Sequence, residues 1–281
     1  MGSPTFEQIG VLANLERAAA SYDSKDVAKK IVSCFKGTRE AVLALIGKWL
    51  SDDTAPPIFV LDGIAGIGKS TILHTIASRA DDIHELGASF LFSRDHDRRK
   101  TTKYFVETIA FQLACYSRDF GAHVANILQE HPDIVDKDLT TQFNMLVRSP
   151  LQDLTAKRRA PLLIAIDALD ECEEEEGLAL LGLLLEEVPT IPHLKVFLTT
   201  RPESEIRHLL NGHSQTDLAC FHVHDIETSI VAADIQIYLN HRLSKEQVAS
   251  TLKALPPPPW QPTEDEKAAL VQLSGNLFII A

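Results

Sequence analysis

The chain has 281 residues, of which 45% are hydrophobic and 23% are charged, and its formal net charge is −12. This length and composition are typical of one large or two smaller globular domains with an ample core. Proteins that bind nucleic acid usually present a basic surface, so the acidic balance argues against DNA or RNA as a partner.

Short apolar runs that alternate with helical patterns predict the core of the fold. Near-continuous apolar strands separated by helices are typical of a mainly parallel sheet that is covered on both faces. We therefore predict a three-layer α/β/α fold with five strands and helical flanking segments. The predicted strands are 58–61, 88–92, 162–166, 195–199 and 221–223, and the predicted helices are 69–79, 103–116, 177–188 and 203–210.

Helical segments flank this core. Residues 1–50 carry Val42, Leu45, Ile46 and Trp49 at helical spacing, and a further helical region follows the last strand. We divide the chain into an N-terminal helical linker at 1–50, a core at 51–224 and a C-terminal helical subdomain at 225–281. The proline run LPPPPW in the last part is interpreted as a stiff linker, and the alternative is a ligand for an SH3 or WW domain.

A glycine-rich stretch follows the first strand and fits the pattern G-x-x-x-x-G-K-[ST]. This spacing lets backbone N–H groups turn inward and cradle phosphates, and the helix that follows adds its N-terminal partial charge. Lysine is expected to reach the β- and γ-phosphates, and the serine hydroxyl to bind Mg²⁺. The alternative is a plain glycine turn, which the flanking strand and helix disfavour. The predicted nucleotide-binding residues are Gly63, Ile64, Ala65, Gly66, Ile67, Gly68, Lys69, Ser70 and Thr71.

An acidic motif, PLLIAIDALDEC, places three carboxylates at the end of the third strand. Asp167 is expected to orient Mg²⁺ through water, and Glu171 is a candidate general base for the attacking water, with Asp170 as a further catalytic candidate. Three carboxylates in five residues repel one another unless a cation lies nearby, which supports a metal. The alternative is an acidic helix N-terminus, and we interpret Glu173–Glu176 in that way.

A single arginine follows one predicted strand, and a cluster of basic residues follows another. In KVFLTTRPE, Arg201 is expected at the same sheet edge as the phosphate loop, where it could sense the γ-phosphate, and the alternative is a surface ion pair. In SRDHDRRK, an arginine finger directed at a neighbouring subunit is possible, but interspersed aspartates favour a solvated loop. The residues in that loop are Arg94, Arg98, Arg99 and Lys100.

Together these motifs resemble the NACHT branch of the signal-transducing P-loop ATPases, and in particular the modules of fungal NOD-like receptors and nephrocystin-like proteins. The resemblance rests on GIAGIGKST, IDALDEC, FLTTRPE and CFKGTREAVLALIGKWL, with ASFLFSRD and TIAFQLA, and it extends from about Cys34 to the last residue. It implies that the TTRP strand lies between the phosphate-loop strand and the acidic strand. It also implies binding of ATP or ADP with Mg²⁺, and a nucleotide state that controls an open, oligomerising form.

The resemblance further implies an adenine-side role for the GTR motif. Its residues are Gly37, Thr38 and Arg39, and the alternative for Arg39 is a helix-start cap. Relatives carry a proline that contacts the base where this chain has Leu277, so that contact is not expected. Since the pattern stops before a winged-helix subdomain, we expect the C-terminal helical subdomain to be incomplete and the chain to be a fragment.

The motifs leave more than one function open. A regulatory switch with slow ATP hydrolysis is favoured, and a turnover ATPase or a small-molecule kinase is the alternative. A GTPase is disfavoured because no asparagine is followed by lysine, as the guanine-reading motif requires. The four separated cysteines and the lack of a recognisable signal peptide or long apolar run predict a cytoplasmic protein without membrane association. Expected partners are nucleotide, further copies and other signalling domains of a longer chain.

Overall fold

The computed structural model describes residues 10–212, 218–222, 228–252, 262–275 and 277–278. The proline run and the predicted strand end at Val223 lie outside the described residues. Five parallel strands form one sheet in the order β2-β3-β4-β1-β5. The strands are β1 Ile58–Asp62, β2 Leu86–Leu91, β3 Leu162–Asp167, β4 Leu194–Thr200 and β5 Leu218–His222.

The strand order decides which loops meet. The predicted three-layer fold is confirmed, and β4 lies between β1 and β3, as the family resemblance implies. All residues of β1 to β4 are buried, which explains their near-continuous apolar sequence. Because the strands are parallel, the loops after β1, β3 and β4 leave the sheet at the same edge.

Helices cover both faces of the sheet. One apolar core packs α2 and α3 against one face, and a larger core packs the helices from α4 to α9 against the other. A small separate cluster joins α10 to the C-terminal residues. The helices are α1 Lys25–Ala28, α2 Glu40–Ser51, α3 Lys69–Asp82, α4 Phe105–Tyr116, α5 Arg118–Glu130, α6 Leu139–Phe143, α7 Ser149–Thr155, α8 Glu174–Glu187, α9 Ser204–Asn211, α10 Thr228–Arg242, α11 Lys245–Leu252 and α12 Glu264–Leu273.

The structure differs from the sequence prediction in two helical regions. The connection from β2 to β3 contains α5, α6, a π-helical turn at Asn144–Arg148 and α7, none of which the sequence pattern predicted. In α2 the predicted apolar face is rotated, because Leu45 is 40% exposed while Leu43 and Leu50 are buried. None of the described helices is both long and apolar enough to cross a membrane.

The N-terminal segment protects one edge of the sheet. Residues 13–24 are not helical and run along β2, which is an edge strand. The backbone N–H of Leu91 donates to the carbonyl of Ala20 at 2.9 Å, and the N–H of Tyr22 donates to Ser89 Oγ at 2.9 Å. An uncovered edge strand would expose unpaired backbone groups, and this segment covers that edge of the sheet.

Candidate functional site

The phosphate loop connects β1 to α3 at the carboxyl edge of the sheet. Gly66 and Gly68 have φ of 79° and 100°, a left-handed backbone that favours glycine. The N–H of Gly63 donates to the carbonyl of Thr200 at 3.3 Å, which ties the start of the loop to β4. Ile67 is buried in the core beneath the loop. The loop is therefore anchored at its start and its end.

Lys69 opens α3 and folds back over the loop. Its ammonium group is buried and donates to the carbonyl of Gly63, and to the carbonyl of Ile64 at 3.1 Å. Burial lowers the pKa of Lys69, while the nearby carboxylates of Asp170 and Asp167 oppose that shift. A positive charge is thus held inside the ring of backbone groups, where a phosphate anion would enter.

Asp167 ends β3 and faces the start of α3. Its buried carboxylate accepts hydrogen bonds from the hydroxyls of Thr199 and Ser70. Burial raises the pKa of Asp167, and these two bonds with the charge of Lys69 counteract the rise. The structure thus brings together the two residues predicted to hold Mg²⁺.

The donor set at this point suits Mg²⁺. The ion prefers oxygen ligands and usually keeps several waters, with one or two protein groups and substrate phosphates completing its shell. No group of three or more His, Cys, Asp or Glu side chains suited to a metal occurs in the described parts of the chain. A hydroxyl and one carboxylate therefore fit a nucleotide-borne Mg²⁺ and no all-protein metal cage.

Thr199 is a site residue that sequence reasoning missed. Its Oγ1 donates to Asp167 and accepts the backbone N–H of Ala168 at 2.9 Å. Ala168 has a φ of 54°, so the chain turns sharply after Asp167. Thr199 lies in the TTRP motif two residues before Arg201, and this position could have identified it as a site residue.

Asp170 and Arg201 form an ion pair behind the phosphate loop. The Asp170 side chain is 2% exposed, and its Oδ1 accepts the backbone N–H of Arg201 at 2.9 Å. Arg201 Nε lies 3.0 Å from Asp170 Oδ2, and the Arg201 side chain is 39% exposed. Oδ1 is therefore hydrogen-bonded, Oδ2 has the ion-pair contact but no hydrogen bond among the described residues, and the guanidinium stays partly accessible.

Glu171 lies beside the ion pair and is partly exposed. Its Oε2 accepts the backbone N–H of Arg94 at 3.3 Å, and its Oε1 lies 3.7 Å from Arg201 Nη2. The same carboxylate lines a cavity of about 660 Å³ together with Leu169 and Ile206. The candidate base therefore borders both the arginine and an open space.

The loop after β2 is more ordered than the sequence prediction of a solvated loop allows. That interpretation is wrong for Arg99, which is 8% exposed and whose Nε donates to the carbonyl of Leu91 at 2.7 Å. Arg94 also contacts the acidic loop through its backbone and through Nη2, which donates to the Asp170 carbonyl at 3.3 Å. A turn closed by the Arg99 N–H and the His96 carbonyl directs Arg99 inward.

The GTR motif lies at the other end of the phosphate loop. Gly37 has a φ of 86°, and the Thr38 hydroxyl donates to the carbonyl of Phe35 at 2.7 Å. Arg39 occupies the N-cap position of α2, and its carbonyl accepts the N–H of Leu43 at 2.9 Å, while its side chain makes no cap hydrogen bond. Arg39 Nη2 instead donates to the carbonyl of Ile67 at 2.7 Å.

Arg39 also contacts the C-terminal region. Its backbone N–H donates to Asp234 Oδ2 at 3.0 Å, and its guanidinium carbon lies 4.7 Å from the centre of the Phe278 ring. The side chain is buried, and its Nε and Nη1 have no hydrogen-bond partner among the described residues. Burial lowers the pKa of Arg39 and Asp234 opposes this shift. No sequence motif marked Asp234, whereas Phe278 follows Leu277, which the family resemblance aligns with the base-contacting proline of relatives.

Comparison with known proteins assigns the part of the chain that contains the phosphate loop, the acidic motif and Arg201 to one family. The model of the family described as Nephrocystin 3, N-terminal, matches residues 37–201, a range that runs from the GTR motif to Arg201. A search of the curated proteins found no match.

Solved structures similar to the chain include three that have TM-scores below 0.5. The Walker-type ATPase paby2304 of Pyrococcus abyssi has a TM-score of 0.47 at 14% identity, over 92% of this chain and 69% of that chain. The structure of Drosophila ORC bound to DNA has a TM-score of 0.46 at 16% identity, over 87% of this chain and 57% of that chain. C. elegans PCH-2 has a TM-score of 0.38 at 14% identity, over 96% of this chain and 62% of that chain. The chain thus spans less than two thirds of the length of the ORC and PCH-2 chains that it matches.

Proposed function

Because the chain belongs to the Nephrocystin 3, N-terminal, family and has a P-loop NTPase fold, we propose that it is a NACHT-type ATP/ADP switch with slow hydrolysis. The observation that carries the proposal is the meeting of Lys69, Ser70 and Asp167 at one sheet edge. These residues come from two separate segments, and the Ser70 hydroxyl contacts the Asp167 carboxylate. A structural glycine turn would not require this convergence.

Each residue would have a distinct task toward the nucleotide. The backbone N–H groups of the loop bind phosphate oxygens, and the Lys69 ammonium exchanges its carbonyl partners for the β- and γ-phosphates. Ser70 and Asp167 would hold Mg²⁺, which neutralises phosphate charge when it is bound. Arg39, with Gly37 and Thr38, is proposed to face the base. Glu171 is proposed to accept the proton of the attacking water.

Slow hydrolysis follows from how Arg201 is engaged. Its Nη2 lies 3.7 Å from Glu171 Oε1. Arg201 is also paired with Asp170. For Arg201 to contact a γ-phosphate it must loosen these pairs, so the resting arrangement favours holding nucleotide over fast turnover. These contacts are what support Glu171, Asp170 and Arg201 as catalytic candidates.

The alternative of a turnover ATPase or small-molecule kinase has one observation in its favour. The cavity beside Glu171, of about 660 Å³, is in the size range of small-ligand sites. An acceptor hydroxyl bound there would lie near the candidate base. Transfer of phosphate to such an acceptor, without release of free phosphate, would identify the kinase.

The remaining expectations become part of the proposal. We divide the chain at 1–50, 51–224 and 225–281, with the core carrying the nucleotide. The proposed partners are nucleotide, further copies of the chain and signalling domains of a longer protein, in the cytoplasm and away from membranes. The net charge of −12 supports the proposal that nucleic acid is not a partner.

The first test identifies the nucleotide and its fate. One sample of the purified chain is denatured so that the nucleotide it releases can be identified. The turnover rate of phosphate release is measured on a second, native sample. Bound ADP and turnover far below about 1 s⁻¹ support the switch, since that rate is the low end of typical enzymes. Rapid release that Glu171→Gln abolishes would instead establish the turnover ATPase.

The second test removes the loop cation. Lys69→Ala is expected to weaken nucleotide binding by about 100-fold or more, because a phosphate contact to a charged donor is lost inside a buried loop. Lys48→Ala, an exposed lysine on α2, is the charge-matched control. Equal nucleotide affinity in the two variants would contradict the proposed site.

A further inference from the structure

Two loops leave neighbouring strands at the carboxyl edge of the sheet. Residues 93–102, here named the clasp loop, follow β2, and residues 168–176 follow β3. Leu91 and Asp167 are register partners, and the N–H of Phe92 donates to the Asp167 carbonyl at 3.0 Å. Both loops therefore start from a fixed point beside the candidate metal ligand.

The far end of the clasp loop is anchored on α8. Glu176 Oε2 accepts from Thr101 Oγ1 at 2.6 Å, from the Thr102 N–H at 2.6 Å and from Thr102 Oγ1 at 2.9 Å. The N–H of Glu173 donates to the Lys100 carbonyl at 2.7 Å. Burial raises the pKa of Glu176, but the threonine bonds outweigh it and hold the pKa below its ordinary value. Glu176 therefore does more than favour the helix N-terminus.

The start of the clasp loop contacts the candidate base. The Arg94 N–H donates to Glu171 Oε2, and Arg94 Nη2 donates to the Asp170 carbonyl, both at 3.3 Å. A carboxylate that is partly exposed has several rotamers available, and a backbone donor on a fixed loop selects among them. The orientation of Glu171 therefore depends on where the clasp loop lies.

Arg99 adds a buried cation to the clasp loop. Its Nε bonds the Leu91 carbonyl and its own carbonyl accepts the Ser93 N–H at 3.0 Å. One neutral acceptor does not compensate an always-charged guanidinium taken out of water. The carboxylates of Asp167 and Glu171 at the site, and that of Asp26 outside it, are the charges that favour the guanidinium. Neighbouring Arg98 lies outside this environment and bonds the Arg17 carbonyl.

We propose that the clasp loop positions Glu171 for water activation, with Arg99 as the positioning residue and Glu176 as the anchor. The inference rests on the proposed function, because it takes Glu171 to be the general base. It assigns a role to the second arginine of the loop's RR pair and to the last glutamate of the acidic run. Their sequence alone does not distinguish either residue from a solvated charge.

The anchor is tested on the nucleotide-free chain by amide hydrogen exchange. Glu176→Ala is expected to speed exchange at Arg94 and Glu173 by about tenfold or more, because three bonds that hold the loop are lost. Glu175→Ala, an exposed change in the same helical turn, controls for helix propensity and the helix dipole. Unchanged exchange at β1 amides shows that the fold is retained. Equal exchange in the two variants would overturn the anchor.

The cation is tested by kinetics and by nucleotide affinity measured separately. Arg99→Gln is expected to slow single-turnover phosphate release about tenfold or more while the nucleotide dissociation constant stays within about threefold. Arg99→Lys should restore most of the rate, since it keeps the charge. Arg98→Gln is the matched control and should match the unmodified chain.

The outcomes separate the clasp from the proposed function. A rate unchanged by Arg99→Gln overturns the positioning role, and so does an equal loss of rate and affinity, which would mean that the loop binds nucleotide. Equal losses in the Gln and Lys variants would indicate packing. If the unmodified chain binds no nucleotide, the proposed function fails, while the exchange experiment still decides whether Glu176 anchors the loop.

Discussion

The two ends of the phosphate loop each hold a buried cation, and the two cations are compensated differently. Lys69 donates to the carbonyls of Gly63 and Ile64 and lies near two carboxylates. Arg39 donates one side-chain bond, to Ile67, and its Nε and Nη1 have no hydrogen-bond partner among the described residues. An unpaired buried donor costs about 1–3 kcal/mol, so the difference is energetically large.

The difference follows from how each end is built. Around Lys69, the partners lie at or just after the ends of β1 and β3, and the sheet ladder fixes the register of these strands through β4. Around Arg39, they come from α10 and from Phe278, which are far away in the sequence. Segments that are far apart in the sequence pack without a shared hydrogen-bond ladder, so a buried donor is more easily left without an acceptor. The Arg39 end is thus the place where acceptor atoms of a ligand would add most.

The largest effect on stability is expected from breaking the pair at the Lys69 end. Among the described residues, Arg201→Ala leaves the buried Asp170 carboxylate with the backbone N–H of residue 201 as its hydrogen-bond donor and with the nearby charge of Lys69. Removing one member of a fully buried pair destabilises by about 3–5 kcal/mol, and we expect about 2 kcal/mol here because Arg201 is partly exposed. Urea unfolding measures the change.

An exposed ion pair supplies the control for this prediction. Lys137 lies in an i,i+4 pair with the largely exposed Asp133. Lys137→Ala should change stability by less than about 0.5 kcal/mol. If Arg201→Ala is equally mild, the charges at the Lys69 end are not held as tightly as the comparison requires.

A smaller effect is expected at the Arg39 end from Asp234. Asp234→Ala removes the acceptor of the Arg39 backbone N–H and should destabilise the chain by about 1 kcal/mol. Because the contact joins α10 to the core, faster hydrogen exchange in α10 should accompany the loss. Asp234→Asn keeps an oxygen acceptor and should lose less. Identical exchange in the alanine variant and the unmodified chain would show that this contact does not hold α10.

Local motifs made one part of this architecture predictable. A strand, a glycine loop and a helix are adjacent in sequence, so β1, the phosphate loop and α3 could be read directly, as could Asp167 at the end of β3. Strand ends were less accurate, with β2 found at Leu86–Leu91 and predicted at 88–92. The fold class was predicted correctly, and the position of β4 between β1 and β3 agrees with what the family resemblance implied, while the roles of the site residues stay predictions.

Contacts between distant segments could not be predicted in this way. Arg98 and Arg99 are adjacent and identical, and only the turn that His96 closes decides which one is buried. Asp234 lies 195 residues from Arg39, and nothing in its local sequence marks it as a partner. The helices α5, α6 and α7, which follow α4 in the connection from β2 to β3, carry no chemical motif. Their positions are set by packing against the sheet, which sequence periodicity reflects only weakly.

The smallest effect on stability is expected from removing the Arg39 guanidinium itself. Arg39→Met loses the bond to Ile67 but also removes the two unpaired buried donors, so the changes should offset to within about 1 kcal/mol. Arg158→Met is the matched control, because all three of its nitrogens have acceptors, in Ala160, Tyr116 and Pro161. That variant should lose about 2 kcal/mol.

The same Arg39 variant reports on the ligand. If nucleotide atoms supply the missing acceptors, ATP should raise the melting temperature of the unmodified chain and raise that of Arg39→Met much less, since a bound ligand stabilises only in proportion to its affinity. A loss above about 2 kcal/mol without nucleotide would mean that the guanidinium is fully compensated in the folded chain. An equal thermal shift in both proteins would mean that ATP does not contact Arg39. The two ends of the loop would then differ in packing alone, and the base would have to lie elsewhere.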